Sequence, residues 1–274
     1  MLKSRVITAV VLLLLLLLVM FVLPDAWWSG LVVVMVTQGV LEWSKLAKIS
    51  GRNAYLYGLL TLAIMLALVW FDANHTDAEQ IVPHLLIYAV SALLWLIIVP
   101  TWLIAGWKPE NRWWMAFVGW AVIIPTGLAM LDLHAMSPLI LLFVMGLVWV
   151  ADIGAYFSGR RFGKNKLAPS ISPGKTWEGV AGAMLGVTVY IVLVWRVSAY
   201  YDQQSILPVL LLAAWWWVGL AVIGDLFESA IKRQAGVKDS GSLLPGHGGL
   251  LDRIDALTST LPLAAMVILL QQLN

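Results

Sequence analysis

Nine long apolar runs restrict what this 274-residue chain can fold into. A helix needs about 17–25 mostly apolar residues to cross the hydrocarbon core of a bilayer. Strands of a membrane barrel would instead give ten-residue segments of alternating polarity, which these unbroken runs do not show. The sequence therefore predicts an all-α fold, a polytopic integral membrane helical bundle of about nine transmembrane helices. The runs are centred on residues 6–23, 27–43, 54–71, 82–104, 113–131, 138–157, 177–198, 206–227 and 255–272.

Two of these runs are open to another interpretation. The first follows Lys3 and Arg5, as the apolar core of a signal peptide does, but it is longer than such a core and lacks a clear cleavage site. We therefore expect a retained first span. The second run is short and contains Gln38 and Glu42, which makes it the least certain span. The composition, 61% hydrophobic and 12% charged residues, fits a membrane protein throughout.

The basic residues fall in alternate loops of the nine-span arrangement. Of the 17 Lys and Arg residues, only Arg196 lies on the opposite face from the others. By the positive-inside rule, the N-terminus is cytoplasmic and the C-terminus is external. Topology and attraction to anionic headgroups account for the basic loops of the N-terminal half. The external loops hold an acidic set: Asp25, Asp72, Asp77, Glu79, Asp132 and Asp202.

The C-terminal half carries more charge in its loops than topology requires. Residues 1–135 are predicted to form an N-terminal membrane-helix half of about five spans. Residues 136–274 are predicted to form the catalytic half, of about four spans, with cytoplasmic loops at 158–176 and 228–254. Because the interspan loops are short, any chemistry must take place at the membrane surface or inside the bundle.

Several carboxylates lie at the cytoplasmic ends of spans in this half, where burial is costly without a partner or a cation. Asp225 follows the apolar stretch WVGLAVIG and should lie deepest. Asp225, Asp252 and Asp255 together can offer oxygen ligands to a hard divalent cation. With no cysteine and four histidines in the chain, Mg²⁺ is favoured over zinc. The remaining carboxylates are Asp152, Glu178 and Glu228, and for Glu178 a helix-capping role is as well supported as a functional one.

Two glycine-rich segments suggest that phosphate binds beside that cation. PGHGG, residues 245–249, can turn several backbone N–H groups towards an anion, and Lys or Arg residues flank it. SPGKTWEG, residues 172–179, adds Lys175 ahead of a helix N-terminus, a geometry that favours phosphate. Its Gly-Lys-Thr imitates a P-loop, but Pro169 stands where that motif needs glycine, and no strand is predicted before it. The pattern therefore indicates phosphate binding without a P-loop.

The segment SAIKRQAGVKDSGSLLPGHGGLLDRID, residues 229–255, resembles the signature of the phosphatidate cytidylyltransferases, also called CDP-diacylglycerol synthases. DIGAYFSGRRFGK, residues 152–164, and SPGKTWEG are also similar to that family. The first half of the chain resembles it only in being several hydrophobic spans. The signature positions matched are Ser229, Lys232, Arg233, Lys238, Asp239, Gly241, Pro245, His247, Gly248, Gly249, Asp252, Arg253 and Asp255.

The resemblance implies transfer of the cytidylyl group from CTP to phosphatidic acid in the cytoplasmic leaflet, with release of pyrophosphate. It implies catalytic residues Asp225, Asp252, Asp255 and Lys232, and Mg²⁺ on the three aspartates, with a monovalent cation such as K⁺ possible nearby. Substrate-binding residues would be Ser172, Lys175, Ser229, Arg233, Lys238, Gly246, His247, Gly248, Gly249 and Arg253. Supporting residues would be Asp152, Tyr156, Arg160, Glu178 and Glu228.

Other functions are weighed against this one. A transporter or flippase can also use intramembrane carboxylates, but here the charges cluster at helix ends and no inverted repeat is evident. The same chemistry on another lipid phosphate, such as an archaeol type, stays open. A CDP-alcohol phosphotransferase would need the run Asp-Gly-x-x-Ala-Arg, which is absent. We expect a bacterial inner-membrane protein with no nucleic-acid partner, and small-residue faces such as Gly182 and Gly186 make a homodimer plausible.

Overall fold

The structure, a computed structural model, describes residues 2–198, 206–243 and 248–273. In these residues the chain is almost entirely helical, with one short pair of strands. The α-helices are α1 Leu2–Phe21, α2 Asp25–Leu46, α3 Arg52–Asn74, α4 Asp77–Leu93, α5 Val99–Ala105, α6 Arg112–Met136, α7 Pro138–Phe162, α8 Trp177–Val197, α9 Leu207–Ala235 and α10 Leu251–Gln272. A π-helical segment, Leu94–Ile98, joins α4 to α5, and the strands are β1 Lys166–Ala168 and β2 Ser172–Thr176.

Seven helical segments in the described part of the chain are long and apolar enough to cross a membrane. They are α3, the continuous segment Asp77–Ala105, and α6 to α10. This confirms the prediction of an all-α polytopic membrane protein. The predicted span centres all fall on helices, although α1 and α2 do not belong to the seven. The count of nine spans and the orientation of the two termini therefore stay predictions.

Helix α2 lies inside the bundle. Its buried residues Trp28, Val32, Val36 and Trp43 belong to a hydrophobic core that also contains residues of α6, α9 and α10. Trp43 Nε1 donates a hydrogen bond of 2.7 Å to the backbone oxygen of Met115 in α6. The core thus draws on both halves of the chain, so the predicted boundary at residue 135 is not a break in the packing.

The predicted cytoplasmic loop 158–176 is more ordered than the sequence suggested. Helix α7 continues through Arg160 and Arg161 to Phe162, and β1 and β2 then form an antiparallel pair with Lys166 opposite Thr176. The expectation that no strand precedes α8 was therefore wrong, because strands of three and five residues are too short to show an alternating pattern. Pro169, which stands where a P-loop needs glycine, still distinguishes this segment from that motif. Likewise α9 extends to Ala235, so part of the predicted loop 228–254 is helical.

Helices α7 and α8 approach closely through small residues. A Cβ atom placed on Gly154 would lie 2.6 Å from the backbone oxygen of Gly182. A Cβ atom on Gly182 would lie 2.0 Å from the Ser158 hydroxyl oxygen and 2.7 Å from the Gly154 oxygen. The small-residue faces that suggested a homodimer thus pack against each other within one chain. They no longer support a dimer.

This contact gives a test of the packing. We expect Gly182→Ala to lower the thermal unfolding midpoint in detergent, at a cost of about 1–3 kcal/mol, because the new methyl group collides with the α7 backbone. The matched control is Gly219→Ala in α9, where nothing lies within 4 Å of the added Cβ atom. That variant should be as stable as the wild type or slightly more stable, because alanine favours helix. Equal midpoints for the two variants would contradict the packing.

Candidate active site

A cavity of about 340 Å³ lies between α7, α8, α9 and strand β2. Its charged lining residues are Asp152 and Arg160 from α7, Lys175 from β2 and Asp225 from α9. Most of the remaining wall is formed by small apolar residues, among them Ala151, Ala155, Gly159, Gly179, Ala183, Val218, Ala221 and Val222. We call this the acidic cavity. It brings together two segments, residues 152–164 and 172–179, that the sequence analysis linked only by resemblance.

Lys175 and Asp225 form the central ion pair of the acidic cavity. Lys175 Nζ lies 2.5 Å from Asp225 Oδ2, and both side chains are partly exposed. The Ser229 hydroxyl donates a hydrogen bond of 3.3 Å to the other oxygen, Asp225 Oδ1. Strand β2 therefore positions the lysine that the Gly-Lys-Thr sequence suggested as a phosphate ligand. In this structure the lysine is held beside a carboxylate.

Carboxylates from three helices gather around this ion pair. Asp255 of α10 interacts electrostatically with Asp225, Glu228 and Asp152. Helices α9 and α10 come close because residue 224 is glycine, on which a Cβ atom would lie 2.8 Å from the backbone oxygen of Asp255. The predicted acidic group at the cytoplasmic ends of the spans is thus assembled in three dimensions.

One oxygen of this group has no partner among the described residues. Glu228 Oε2 accepts a hydrogen bond of 2.7 Å from Lys232, but Oε1 is buried and accepts none. A buried carboxylate oxygen without a donor is costly unless a cation or a further donor approaches it. The chemistry of this donor set, several carboxylates and no sulfur, therefore fits a hard divalent cation.

Asp252 has a different set of partners from the one predicted. Its Oδ1 accepts a hydrogen bond of 2.6 Å from Lys232, and its Oδ2 accepts bonds of 2.8 Å from the backbone N–H groups of Ser240 and Gly249. The carboxylate thus fastens the loop before α10 to α9. Asp252 and Asp255 were both expected to face Asp225. Asp255 interacts electrostatically with Asp225, whereas Asp252 is engaged by these donors because it lies at the start of α10.

Lys232 connects these two parts of the site. It is buried and lies between Glu228, at 2.7 Å, and Asp252, at 2.6 Å. Such a buried cation with two carboxylate partners fixes the end of α9 against the start of α10.

Glu42 of α2 is the residue that sequence reasoning missed. Its side chain is 1% exposed, and its two oxygens accept four hydrogen bonds. Oε1 accepts from the Gln38 amide at 3.1 Å and the Leu250 N–H at 3.0 Å. Oε2 accepts from the Ser240 hydroxyl at 2.9 Å and the Leu251 N–H at 3.0 Å. A carboxylate from the N-terminal half therefore caps the first turn of α10, where negative charge is favoured.

The glycines of the loop before α10 have steric reasons to be glycine. A Cβ atom on Gly249 would lie 2.3 Å from Glu42 Oε2, and one on Gly241 would lie 2.9 Å from its Oε1. Gly248 has φ +84°, and its Cβ atom would lie 2.6 Å from Asp252 Oδ2. The loop thus turns at least one backbone N–H towards a carboxylate. The predicted residues Gly246 and His247 lie outside the described residues, so their roles stay predictions.

The other predicted residues are distributed around the acidic cavity and beside it. Arg160 donates a hydrogen bond of 3.0 Å to the Tyr156 hydroxyl in the cavity wall. Arg253 and Asp152 interact electrostatically. Glu178 accepts hydrogen bonds from the backbone and side chain of Asn165, which fastens the strand pair to α8 and favours a structural role for this residue. The remaining positions are Ser172 at the start of β2, Lys238 on an exposed turn, and Arg233, which lines a different cavity.

A separate polar cluster is formed by residues of α3, α4 and α6, all in the N-terminal half of the chain. His84 is buried between Asp72, 3.0 Å from its Nε2, and Asp132, 2.9 Å from its Nδ1. The Tyr88 hydroxyl also donates to Asp132, at 2.7 Å. Among the described residues, these are the only three side chains of His, Cys, Asp or Glu whose ligand atoms all lie within 4.8 Å of one another. Asp225, Asp252 and Asp255 do not converge to that degree in this structure.

The fold is that of a polytopic membrane protein, with a charged cavity between α7, α8, α9 and β2. Residues 3–271 match the cytidylyltransferase family, and the chain belongs to that family. The resemblance noted in the C-terminal half is thereby confirmed and extends over nearly the whole sequence.

Three similar proteins, each named phosphatidate cytidylyltransferase, show how far the likeness reaches. The one from Pseudomonas aeruginosa is 40% identical over 286 residues, which cover 98% of this chain and 97% of the relative. The one from Haemophilus influenzae is 36% identical, with 96% of each chain covered. The one from Thermotoga maritima is 42% identical over 132 residues, 46% of this chain and 47% of the relative.

The capping role of Glu42 can be tested directly. We expect Glu42→Gln to lower the thermal unfolding midpoint and to reduce turnover, because the amide NH₂ cannot accept a hydrogen bond and leaves buried donors unpaired, at about 1–3 kcal/mol each. The control is Glu110→Gln, which changes an exposed carboxylate. Thermal unfolding and activity of both variants in the same detergent are the measurements. A Glu42→Gln protein as stable as the control would show that the carboxylate does not hold α10.

Proposed function

We propose that this protein transfers the cytidylyl group of CTP to phosphatidic acid and forms CDP-diacylglycerol and pyrophosphate. Membership of the cytidylyltransferase family and the names of the relatives support this activity. The observation that carries it is the acidic cavity, in which Lys175 and Asp225 lie beside Asp152 at the ends of membrane helices. A cation and a phosphate group can both find ligands there.

The reaction needs little covalent chemistry from the protein. A phosphate oxygen of phosphatidic acid forms a bond to the α-phosphorus of CTP, and the bond from that phosphorus to the oxygen bridging to the β-phosphate breaks. The bridging oxygen leaves as part of pyrophosphate. Since phosphatidic acid and CTP are both polyanions, catalysis depends mainly on neutralising their charge and holding them in line.

The proposed metal ligands are Asp225 and Asp255, with Asp252 nearby at the start of α10. Their oxygens suit Mg²⁺, which when bound would neutralise the phosphates of CTP, and a K⁺ ion could share the acidic group. Asp152 and the unpartnered oxygen of Glu228 add negative charge around the same place. In this proposal Lys232 is a positioning residue, because it holds Asp252 and Glu228 and is itself buried.

The phosphate ligands are proposed to come from the strand pair and the loop before α10. Lys175 is the first candidate, because it can exchange Asp225 for a phosphate oxygen without moving far. Lys238 and Arg253 lie on the exposed side of the same region and can bind the pyrophosphate portion. The further proposed contacts are Ser172, Ser229, Gly246, His247, Gly248 and Gly249, whereas Arg233 lines the neighbouring cavity.

The placement of the site suits substrates from two phases. The small apolar residues of the acidic cavity belong to α7, α8 and α9, helices of membrane-spanning length, so a lipid can enter from the side while CTP enters from the water. By the distribution of basic residues, that end of the bundle faces the cytoplasm. With bacterial relatives, this supports a location in the bacterial inner membrane and phosphatidic acid of the cytoplasmic leaflet as the acceptor.

The proposal predicts metal-dependent product formation. Purified protein given CTP, Mg²⁺ and phosphatidic acid should release pyrophosphate and form CDP-lipid, and both should stop when Mg²⁺ is chelated.

We expect Asp225→Asn to reduce turnover by at least about 100-fold, since it removes one charge at the reacting centre. Asp77→Asn, an exposed carboxylate at the start of α4, is the matched control and should retain activity. Wild-type activity in the Asp225→Asn protein would exclude Asp225 as a metal ligand, and no product from stable wild-type protein would favour transport.

A second test separates substrate binding from positioning. Lys175→Gln should reduce turnover strongly and leave the thermal midpoint near that of the wild type, because this lysine is partly exposed and its ion pair adds about 1 kcal/mol at most. Lys232→Gln should lower the midpoint as well, because it leaves two buried carboxylates without their cation. Thermal unfolding and initial rates on both variants are the measurements. If Lys175→Gln loses stability and Lys232→Gln does not, the two roles are reversed.

A further inference from the structure

A second and larger cavity lies beside the acidic cavity. Its volume is about 770 Å³, and no residue lines both. It is bounded by the ends of α2 and α5, the start of α6, the last turns of α9 and the turn between β1 and β2. A pocket of this size falls within the range of about 300–1,000 Å³ that holds small molecules. We call it the basic cavity.

The basic cavity has an excess of positive charge, whereas the acidic cavity is lined by two carboxylates and two cations. Lys48, Lys108 and Arg233 line it, against a single carboxylate, Glu110. Within the described part of the chain, none of these three cations has a carboxylate within 4 Å. Arg233 donates two long hydrogen bonds to described residues, to the backbone oxygens of Ile171 at 3.4 Å and Val237 at 3.3 Å. Three cations that line one concave surface without acidic partners favour an anion between them.

Lys48 adds an independent observation, the strain of its backbone. With φ +55°, it is the one non-glycine residue among those described with positive φ. It follows Ala47, the C-cap of α2, where the left-handed conformation is usually supplied by glycine. A lysine in this conformation is strained, and strained residues cluster at binding sites. Lys45 already supplies a cation in the last turn of α2, so the helix dipole does not require a second lysine in a strained conformation at residue 48.

The walls of the basic cavity suit a ligand with both polar and apolar parts. Trp102 and Met115, both buried, form part of the wall below the charged residues. Trp107, which is 53% exposed, stands at the rim. The turn between the strands borders this cavity with Ser170 and Ile171, while β2 borders the acidic cavity with Lys175. The two cavities are thus neighbours, separated by the strand pair and the end of α9.

We infer that the basic cavity is a second anion site, which binds the phosphate group of a phosphorylated ligand through Lys48, Lys108 and Arg233. Two sources of that group fit the surroundings: the headgroup of a phospholipid from the bilayer, or a water-soluble polyphosphate. The inference goes beyond the proposed reaction and does not depend on it, because neither Lys48 nor Lys108 belongs to the acidic cavity. Both lysines come from the half of the chain to which the sequence assigned no chemical role.

The test is a binding measurement on the full-length protein without Mg²⁺ and with a chelator, so that turnover plays no part. The soluble arm titrates inorganic pyrophosphate by calorimetry. The lipid arm places the protein in nanodiscs of phosphatidylcholine with or without phosphatidic acid and counts retained phosphatidic acid by native mass spectrometry. Each arm compares wild type with Lys48→Gly and Lys108→Gln, and with Lys45→Gln as a matched control, an exposed lysine one turn earlier that does not line the cavity.

We expect both cavity variants to weaken binding about tenfold in one of the two arms, because each variant loses one charge-assisted contact with the ligand. Lys45→Gln should bind as the wild type does. A loss in the pyrophosphate arm identifies a soluble polyphosphate, and a loss in the lipid arm identifies a headgroup. Unchanged binding in both arms overturns the inference. So does an equal loss in the Lys45→Gln control, which would indicate general surface attraction.

Lys48→Gly also separates binding from folding. Glycine relieves the positive φ, so the thermal midpoint should stay level or rise while binding falls. Lys48→Arg keeps the charge and should bind close to the wild type. If Lys48→Gly raises the midpoint and leaves binding unchanged, the lysine serves only the end of α2 and the inference fails. Failure of the proposed reaction would show in the turnover assay and not here.

Discussion

The buried carboxylate of Glu42 is the interaction on which the organisation of the site depends. A carboxylate has about four acceptor positions, and all four are filled here, by Gln38, Ser240, Leu250 and Leu251. Buried charge of this kind is tolerable only when every oxygen is satisfied. The result is that α10 begins at a fixed place relative to α2. The positions of Asp252, at the start of α10, and Asp255, one turn further along, are fixed in the same way.

Two further contacts extend this fixed point to the rest of the acidic group. Lys232 ties α9 to Asp252, and the absence of a side chain at Gly224 lets α9 lie directly against α10 beside Asp255. The strand pair then brings Lys175 to Asp225 from the other side. Charge therefore alternates across the site, carboxylate against lysine, before any substrate arrives. In the proposed reaction, a phosphorylated ligand and a cation replace these internal partners with little rearrangement, which is how preorganised sites lower the cost of binding.

Much of the fold and part of the site follow from the sequence. The apolar runs locate the helices because their length is set by the bilayer, and the carboxylates at the ends of spans are visible because charge is rare in this chain. The residues of the acidic cavity could be identified by resemblance. The strand pair could not be identified from the sequence, because its strands are too short to show an alternation of polar and apolar residues.

Glu42 and the basic cavity were missed for a different reason. In the sequence Glu42 made the second span uncertain, since three of its four hydrogen-bond partners lie about 200 residues away and only Gln38 is local. His84 between Asp72 and Asp132 is a similar case, in which three separate helices supply one cluster. Likewise Lys48 and Lys108 read as topology signals, because a single sequence does not show that α2, α5 and α9 end at one cavity. Pairings between distant helices are the part of the structure that the sequence pattern does not encode locally.

The sequence separation between Glu42 and Ser240 also affects when the site can assemble during synthesis of the chain. The two residues are 198 positions apart, and at about 5–20 residues per second a ribosome takes about 10–40 s to make the chain between them. Throughout that interval α2 has a carboxylate whose capping partners do not yet exist. The N-terminal helices must therefore stay loosely associated, or keep Glu42 in contact with water, until the last helix is inserted. Assembly of the site is in this sense a final event of biosynthesis, and a chain that stops before α10 exposes an unsatisfied charge that marks it as incomplete.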